Sequence, residues 1–237
     1  MISEKIILSK TFAVLMLTTV PCALLLASES EQHLLPTSPN FDTVAPYAKR
    51  FAKICERLLF PASSWIIRYF QIIGDPPYDT GLTIYQKTDR SYWLMVRQAR
   101  PEINDIVVNA FYGRVDLQSS LASVKIEASN RQIPSDVAVE MHKLWLALLR
   151  KTRARDKVDE THYIHPPTVI LSAKDRNGDR LNGKYPADAA KHRTFTSLEA
   201  IVDSLVKSCD ARDDDRLRLL RSAAKDARGL RADIESH

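Results

Sequence analysis

The first 27 residues constrain this chain most strongly, because they set an apolar leader apart from the part that can form a folded domain. Lys5 and Lys10 supply positive charge, residues 11–27 form an uncharged apolar run, and the polar residues 28–31 follow at once. This order is typical of a secretory signal peptide. The sequence therefore predicts an exported protein, periplasmic or extracellular, with residues 1–27 as its signal peptide.

A membrane anchor is the alternative for the same segment. The run 11–27 is shorter than the ~20 residues that a membrane-spanning helix needs. Pro21 also interrupts the backbone hydrogen bonding of such a helix. These features favour cleavage near Ala27 or Ser30. Leu25 is nevertheless a poor residue three positions before a cleavage after Ala27, so an uncleaved anchor that holds the domain outside the membrane stays open.

The chain beyond the leader has the size and composition of one globular domain. The sequence is 45% hydrophobic and 27% charged, and the remaining length of about 210 residues suits a single core. We assign residues 28–40 to an extended leader, 41–210 to a single domain and 211–237 to a charged tail. Acids and bases from Asp210 to His237 balance at seven each, which predicts a solvated helix or partial disorder.

The net charge of +5 does not by itself indicate a protein that binds polyanions. Acids and bases are interleaved along the sequence, without the clustering that a nucleic-acid site requires. We therefore expect no nucleic-acid partner, and contact with a membrane only through residues 11–27.

Hydrophobic periodicity predicts three helices. Apolar residues spaced by three and four indicate a first helix that begins near Phe41–Val44 and ends by Pro61. A middle helix follows Pro134, with Ser135 as its N-cap. A late helix begins at Thr196, and Glu199 completes a capping box.

Runs of β-branched and aromatic residues predict the strands of an α+β fold. We expect strands at 64–73, 81–87 and 91–97, from Asp105, from Leu121, and within 161–174. Asn177-Gly178 and Asn182-Gly183 predict two turns. The expected architecture is a mostly antiparallel sheet of five to seven strands packed by about three helices, with a charged C-terminal helical or disordered tail.

Two cysteines remain once the leader is removed, and they suggest a disulfide. Cys55 lies on the apolar stripe of the first predicted helix and Cys209 on that of the late helix. If the two stripes share a core in an oxidising compartment, these thiols are expected to pair. Such a bridge would close a loop of more than 150 residues and stabilise the fold by roughly 4–5 kcal/mol. Two separate buried thiols are the alternative.

Neither candidate metal motif is complete. Residues 175–179 resemble the start of a calcium loop, but Arg180 and Pro186 stand at the sixth and twelfth positions, where glycine and glutamate are required. His162 and His165 form an HxxH pair without a third ligand at zinc spacing. We expect no metal and no cofactor.

No catalytic motif is present in the sequence, so three functional hypotheses of different classes remain. The first is a non-enzymatic binding protein, of the inhibitor or immunity type, with a protein partner in the cell envelope. The second is a small envelope hydrolase whose site assembles from distant residues, with His142, Asp159, Glu160 and His162 as candidates. The third is a structural or assembly component anchored through residues 11–27.

Overall fold

The computed structural model describes residues 34–36, 48–72, 79–152, 168–186 and 193–236. The strands in these ranges are β1 (Leu35–Pro36), β2 (Trp65–Ile72), β3 (Asp79–Gln86), β4 (Tyr92–Arg100), β5 (Lys125–Ile133), β6 (Thr168–Lys174) and β7 (Arg180–Pro186). The helices are α1 (Ala48–Leu59), α2 (Ile103–Phe111), α3 (Leu117–Ala122), α4 (Ser135–Arg150), α5 (Arg193–Asp210) and α6 (Asp213–Ser236).

All of these strands form one antiparallel sheet, and the fold is α+β. The strand order is β1-β7-β6-β2-β3-β4-β5. β2, β3 and β4 form a meander, and β6 and β7 form a hairpin. β1 is a two-residue extension of the β7 edge, where Leu35 pairs with Lys184 and Pro36 with Gly183.

Helices cover both faces of the sheet. Neighbouring residues of a strand point to opposite faces, so the central strands contribute apolar side chains to both. On β2, Tyr69 belongs to a cluster shared with α4, α5 and α6, whereas Phe70 belongs to a cluster shared with α1, α2 and α3. We call these the late-helix face and the early-helix face. The late-helix face holds the larger cluster, which includes the fully buried Trp145, Tyr185 and Phe195.

Most predicted elements are confirmed. β2, the β3–β4 hairpin, β6, α4 and α5 lie where the apolar patterns predicted them, and α1 ends before Pro61. The Asn177-Gly178 turn joins β6 to β7, with Gly178 at a φ of 85°. The predicted start of the first helix, near Phe41–Val44, lies outside the described residues.

The strand predicted from Asp105 is wrong, since this segment forms helix α2. Ile103, Ile106 and Val107 are buried at helical spacing. The buried Asp79 carboxylate accepts the N–H of Ile103 at 2.7 Å and so satisfies a donor at the helix N-terminus. The strand predicted from Leu121 begins only at Lys125, because the preceding residues form α3.

The second predicted turn and two predicted helix starts also differ from the structure. Asn182-Gly183 lies within β7, and a Cβ at Gly183 would lie 3.0 Å from the Leu34 Cβ, so this glycine permits a close approach and not a turn. Ser135 is the first residue of α4, and Pro134 occupies the N-cap without a side-chain hydrogen bond. α5 begins at Arg193, before Thr196.

The charged C-terminal segment is a helix and belongs to the core. Helix α6 buries a narrow stripe on the late-helix face, made of Leu220, Ala223, Ala224, Ala227 and Leu230. Its far end is tied to α4, because the Lys151 ammonium donates a hydrogen bond to the Ile234 carbonyl and Arg231 lies 3.6 Å from Glu140. The helical alternative is therefore correct, but the segment is not solvated on all sides.

The predicted Cys55–Cys209 disulfide is not present, and both thiols are free and buried. Cys55 lies in the early-helix cluster and Cys209 in the late-helix cluster. The prediction required the first and late helices to share a core, whereas the sheet separates them. The thiols therefore pack as separate small apolar groups.

The predicted signal peptide at residues 1–27 and the His162–His165 pair lie outside the described ranges. Among the helices that are described, none is both long enough and apolar enough to span a membrane. The described residues also contain no group of three or more His, Cys, Asp or Glu side chains arranged to hold a metal ion.

Candidate protein-binding surface

A groove between α1 and α3 combines positive charge with apolar side chains. Its volume is about 290 Å³, and its lining residues are Arg50, Lys53, Ile54, Arg57, Leu117, Gln118 and Leu121. We call it the basic groove. The three cations all come from α1 and the two leucines from α3.

The amphipathic sequence of α1 places the cations on the groove side. Arg50, Lys53 and Arg57 recur at spacings of three and four, and all three are exposed. The opposite stripe, which includes Phe51, Cys55 and Leu59, is buried against the sheet. In the part of the chain that the structure describes, none of the three cations forms a salt bridge, whereas Glu56 on the same helix is paired with Arg68. No salt bridge therefore neutralises the positive charge of these three side chains in those ranges.

The other wall of the groove is fixed by the N-terminus of α3. The Asp116 side chain caps this helix by accepting the N–H of Ser119 at 2.8 Å. Hydrogen bonds from Ser119 hold the pKa of the Asp116 carboxyl below its usual value, so the cap stays ionised. Leu117 follows directly and is buried, which orients α3 against α1.

The end of α2 and the loop that joins it to α3 expose three large apolar side chains. Phe111, Tyr112 and Val115 are 49%, 63% and 41% exposed, and the described residues contain only one other large apolar side chain of comparable exposure, Val139. We call these three the apolar tip. Scattered apolar residues on a surface are ordinary, but a run of them is typical of an interaction site.

A Schellman turn projects the apolar tip. Gly113 has a φ of 68°, and its N–H and that of Arg114 donate to the carbonyls of Ala110 and Asn109 at 3.1 and 2.9 Å. The turn ends α2 and leaves Phe111 and Tyr112 in edge-to-face contact, with ring centroids 5.3 Å apart. The Arg114 guanidinium lies 5.5 Å from the Tyr112 ring centroid. The tip is thus an ordered aromatic pair with a cation beside it.

Only one of the four hydrolase candidates, His142, lies within the described residues. His142 lies on α4, where its Nε2 is 2.6 Å from the Lys174 carbonyl oxygen and is engaged with the backbone of β6. Asp159, Glu160 and His162 lie outside the described residues.

Sequence reasoning missed both the basic groove and the apolar tip. The spacing of Arg50, Lys53 and Arg57 was readable as one helix face, but its neighbour α3 was not predicted. Phe111 and Tyr112 fell at the end of a segment assigned to a strand. The Tyr-Gly pair at 112–113 was the available signal, since glycine commonly ends a helix in this way. Comparison with protein-family models, with curated proteins and with solved structures gave no match.

Proposed function

We propose that this chain is a non-enzymatic binding protein, of the inhibitor or immunity type, that takes up an acidic segment of a partner protein in the basic groove. The observation that carries the proposal is the sequence continuity of the apolar tip with α3, which forms one wall of that groove. Tyrosine and arginine dominate the binding energy of many protein interfaces, and aromatic side chains are enriched in them. The tip supplies such residues at the groove's margin.

The chemistry of the groove indicates what the partner segment contains. Arg50, Lys53 and Arg57 favour carboxylates, while Ile54, Leu117 and Leu121 favour apolar side chains between them. Charge complementarity of this kind accelerates association and makes it sensitive to salt. The signal-peptide pattern of residues 1–27 supports export, which would place the partner in the periplasm or outside the cell.

Site-specific cross-linking tests the proposal in the native compartment. A photoreactive amino acid at position 112 of the full-length protein is expected to capture one protein in stoichiometric amounts. The same amino acid at position 139 is the control, because Val139 is also exposed but lies on α4, on the other side of the sheet. Equal capture at both positions, or none at position 112, would contradict the proposal.

Binding to the captured partner then tests the groove directly. Tyr112→Ala and Lys53→Glu are each expected to weaken binding by about ten-fold or more. Arg176→Glu, at an exposed position in the β6–β7 turn, is the charge-matched control and should leave the dissociation constant unchanged. Added salt should weaken the wild-type complex and have less effect on the Lys53→Glu complex.

A further inference from the structure

Three cations lie around one tryptophan. This tryptophan is at the opposite end of the sheet from α3, which forms one wall of the basic groove. The Trp65 side chain is buried at the start of β2. The charged groups of Arg68, Lys174 and Arg180 lie 4.4, 4.8 and 5.3 Å from its ring centroid. They come from β2, β6 and β7, and Lys174 and Arg180 stand directly opposite each other in the β6–β7 ladder. Like charges in that position repel each other.

One carboxylate in the described ranges neutralises part of this charge. Glu56 lies 2.7 Å from Arg68, whose side chain is only 5% exposed. The same guanidinium donates to the carbonyls of Phe60 and Ala62 at 3.2 and 3.3 Å, so both terminal nitrogens of Arg68 are engaged at the end of α1. Arg68 and Glu56 together carry no net charge, and two positive charges remain.

Lys174 and Arg180 have no carboxylate partner among the residues that the structure describes. The adjoining turn contains Asp175 and Asp179, but neither forms a salt bridge with them, and Asp175 Oδ1 accepts the N–H groups of Asn177 and Asp179 at 2.8 and 2.9 Å. Burial lowers the pKa of Arg180, and the charge of Glu56 offsets only part of that effect. Two partly desolvated cations side by side cost free energy unless an anion joins them.

Neutral hydrogen bonds hold Arg180 in place. Its Nε donates to Asn182 Oδ1 at 2.8 Å, and Ser172 donates to the same oxygen at 2.8 Å. Within the described part of the chain, the terminal Nη groups of Arg180 have no partner. A guanidinium fixed through Nε presents those groups in the fork geometry that suits a phosphate.

We propose that Lys174 and Arg180 bind a phosphate-type dianion beside Trp65. Its two negative charges match the two cations that Glu56 does not neutralise. The dianion is either inorganic phosphate or the phosphoryl group of a larger ligand. This site lies apart from the basic groove, and the inference does not depend on the proposed function.

Titration of the full-length protein with inorganic phosphate tests the site. The reporter is the indole N–H resonance of Trp65 in a nitrogen–proton NMR spectrum, assigned by its absence in Trp65→Phe. At constant ionic strength, phosphate is expected to shift this resonance in a saturable manner, and chloride is not. Glycerol 3-phosphate distinguishes the two sources, since tighter binding than inorganic phosphate indicates a larger ligand.

Two variants and a control decide the outcome. Arg180→Gln and Lys174→Gln should each weaken phosphate binding by about ten-fold or more, because each removes a charged hydrogen bond. Arg176→Gln, at an exposed position of the same hairpin, should bind like wild type. Lys174→Gln keeps the test valid if Arg180→Gln fails to fold. A shift that chloride reproduces, or that all variants share, would overturn the proposal.

Discussion

Single polar side chains hold two helix ends on the early-helix face. The Asp79 carboxylate lies at the N-terminus of α2, and the Arg68 guanidinium lies at the C-terminus of α1. A negative group at a helix N-terminus and a positive group at a helix C-terminus complement the helix dipole. Both side chains are buried, so the end of α1, which lines the basic groove, and the start of α2, which leads to the apolar tip, depend on a few hydrogen bonds from β2 and β3.

Gly81 is required for the close approach of α1 to the sheet. A Cβ at this position would lie 3.0 Å from both the Leu59 Cβ and the Phe60 ring. We expect Gly81→Ala to lower the free energy of unfolding by about 1–3 kcal/mol, through crowding of the early-helix face. Urea unfolding measures the change.

Gly229 is the matched control for this substitution. It lies within helix α6, and a Cβ there would meet nothing within 4 Å. Gly229→Ala should raise stability by about 0.5–1 kcal/mol, since alanine favours the helix. Equal effects at the two positions would contradict the close approach described for Gly81.

Glu199 should make stability depend on pH. Burial raises the pKa of its carboxyl in the folded protein. The contribution of Glu199 to folding stability is then fully present below about pH 4.3, the pKa of this carboxyl in the unfolded chain. It is lost as the pH rises through the higher pKa of the folded protein. We expect Glu199→Gln to be more stable than wild type at neutral pH and no more stable below about pH 4. Urea unfolding at the two pH values tests this, and an equal difference at both would exclude it.

Among the elements, α6 differs most from what its composition suggests. Its charged residues indicate a solvated helix, yet Ala223, Ala224 and Ala227 bring it close to its neighbours on the late-helix face. Alanine contributes little to a hydrophobic stripe but allows backbones to pack closely. A pattern read from large apolar residues alone therefore underestimates such a helix.

Substitution of the α6 alanines tests this packing. Ala227 is fully buried and Ala232 is exposed on the same helix. We expect Ala227→Leu to destabilise the protein by about 1–3 kcal/mol and Ala232→Leu to be nearly neutral. Thermal unfolding compares the two. If Ala227→Leu proves neutral, α6 does not pack as described.

The elements also show what the sequence could predict. Long stripes such as Leu198, Ile201, Val202 and Leu205 indicated α5, and runs of β-branched and aromatic residues indicated β2 to β4. The segment from Asp105 failed because seven residues with adjacent apolar side chains fit either a helical or a strand period. The Tyr-Gly pair could have indicated the turn at Gly113, but the exposure of the apolar tip could not be predicted, because it also depends on where α3 packs.

For the whole molecule, the decisive feature is that the sheet separates the first helix from the late one. Periodicity shows which face of a helix is buried but not which face of the sheet receives it. That is why the positions of Cys55 and Cys209 on their stripes were read correctly and their pairing was not. The candidate surface was beyond prediction for the same reason, since it depends on which helices become neighbours.

Thiol chemistry should report this separation. Burial raises the pKa of Cys209 to about 11 and that of Cys55 well above its usual value, so both should react slowly with thiol reagents in the folded protein. Unfolding in denaturant should make both react rapidly. Non-reducing peptide mapping should find no Cys55–Cys209 cross-link, and its detection in native protein would contradict the arrangement.

If residues 11–27 act as a membrane anchor, the position of Leu34 limits how far the domain can move from that membrane. This side chain is 1% exposed, and β1 directly after it pairs with β7. Seven peptide units separate Ala27 from Leu34, which gives a tether of roughly 25 Å at full extension. An anchor at residues 11–27 would therefore keep the β7 edge within that distance of the bilayer, whereas cleavage after Ala27 would remove this restraint.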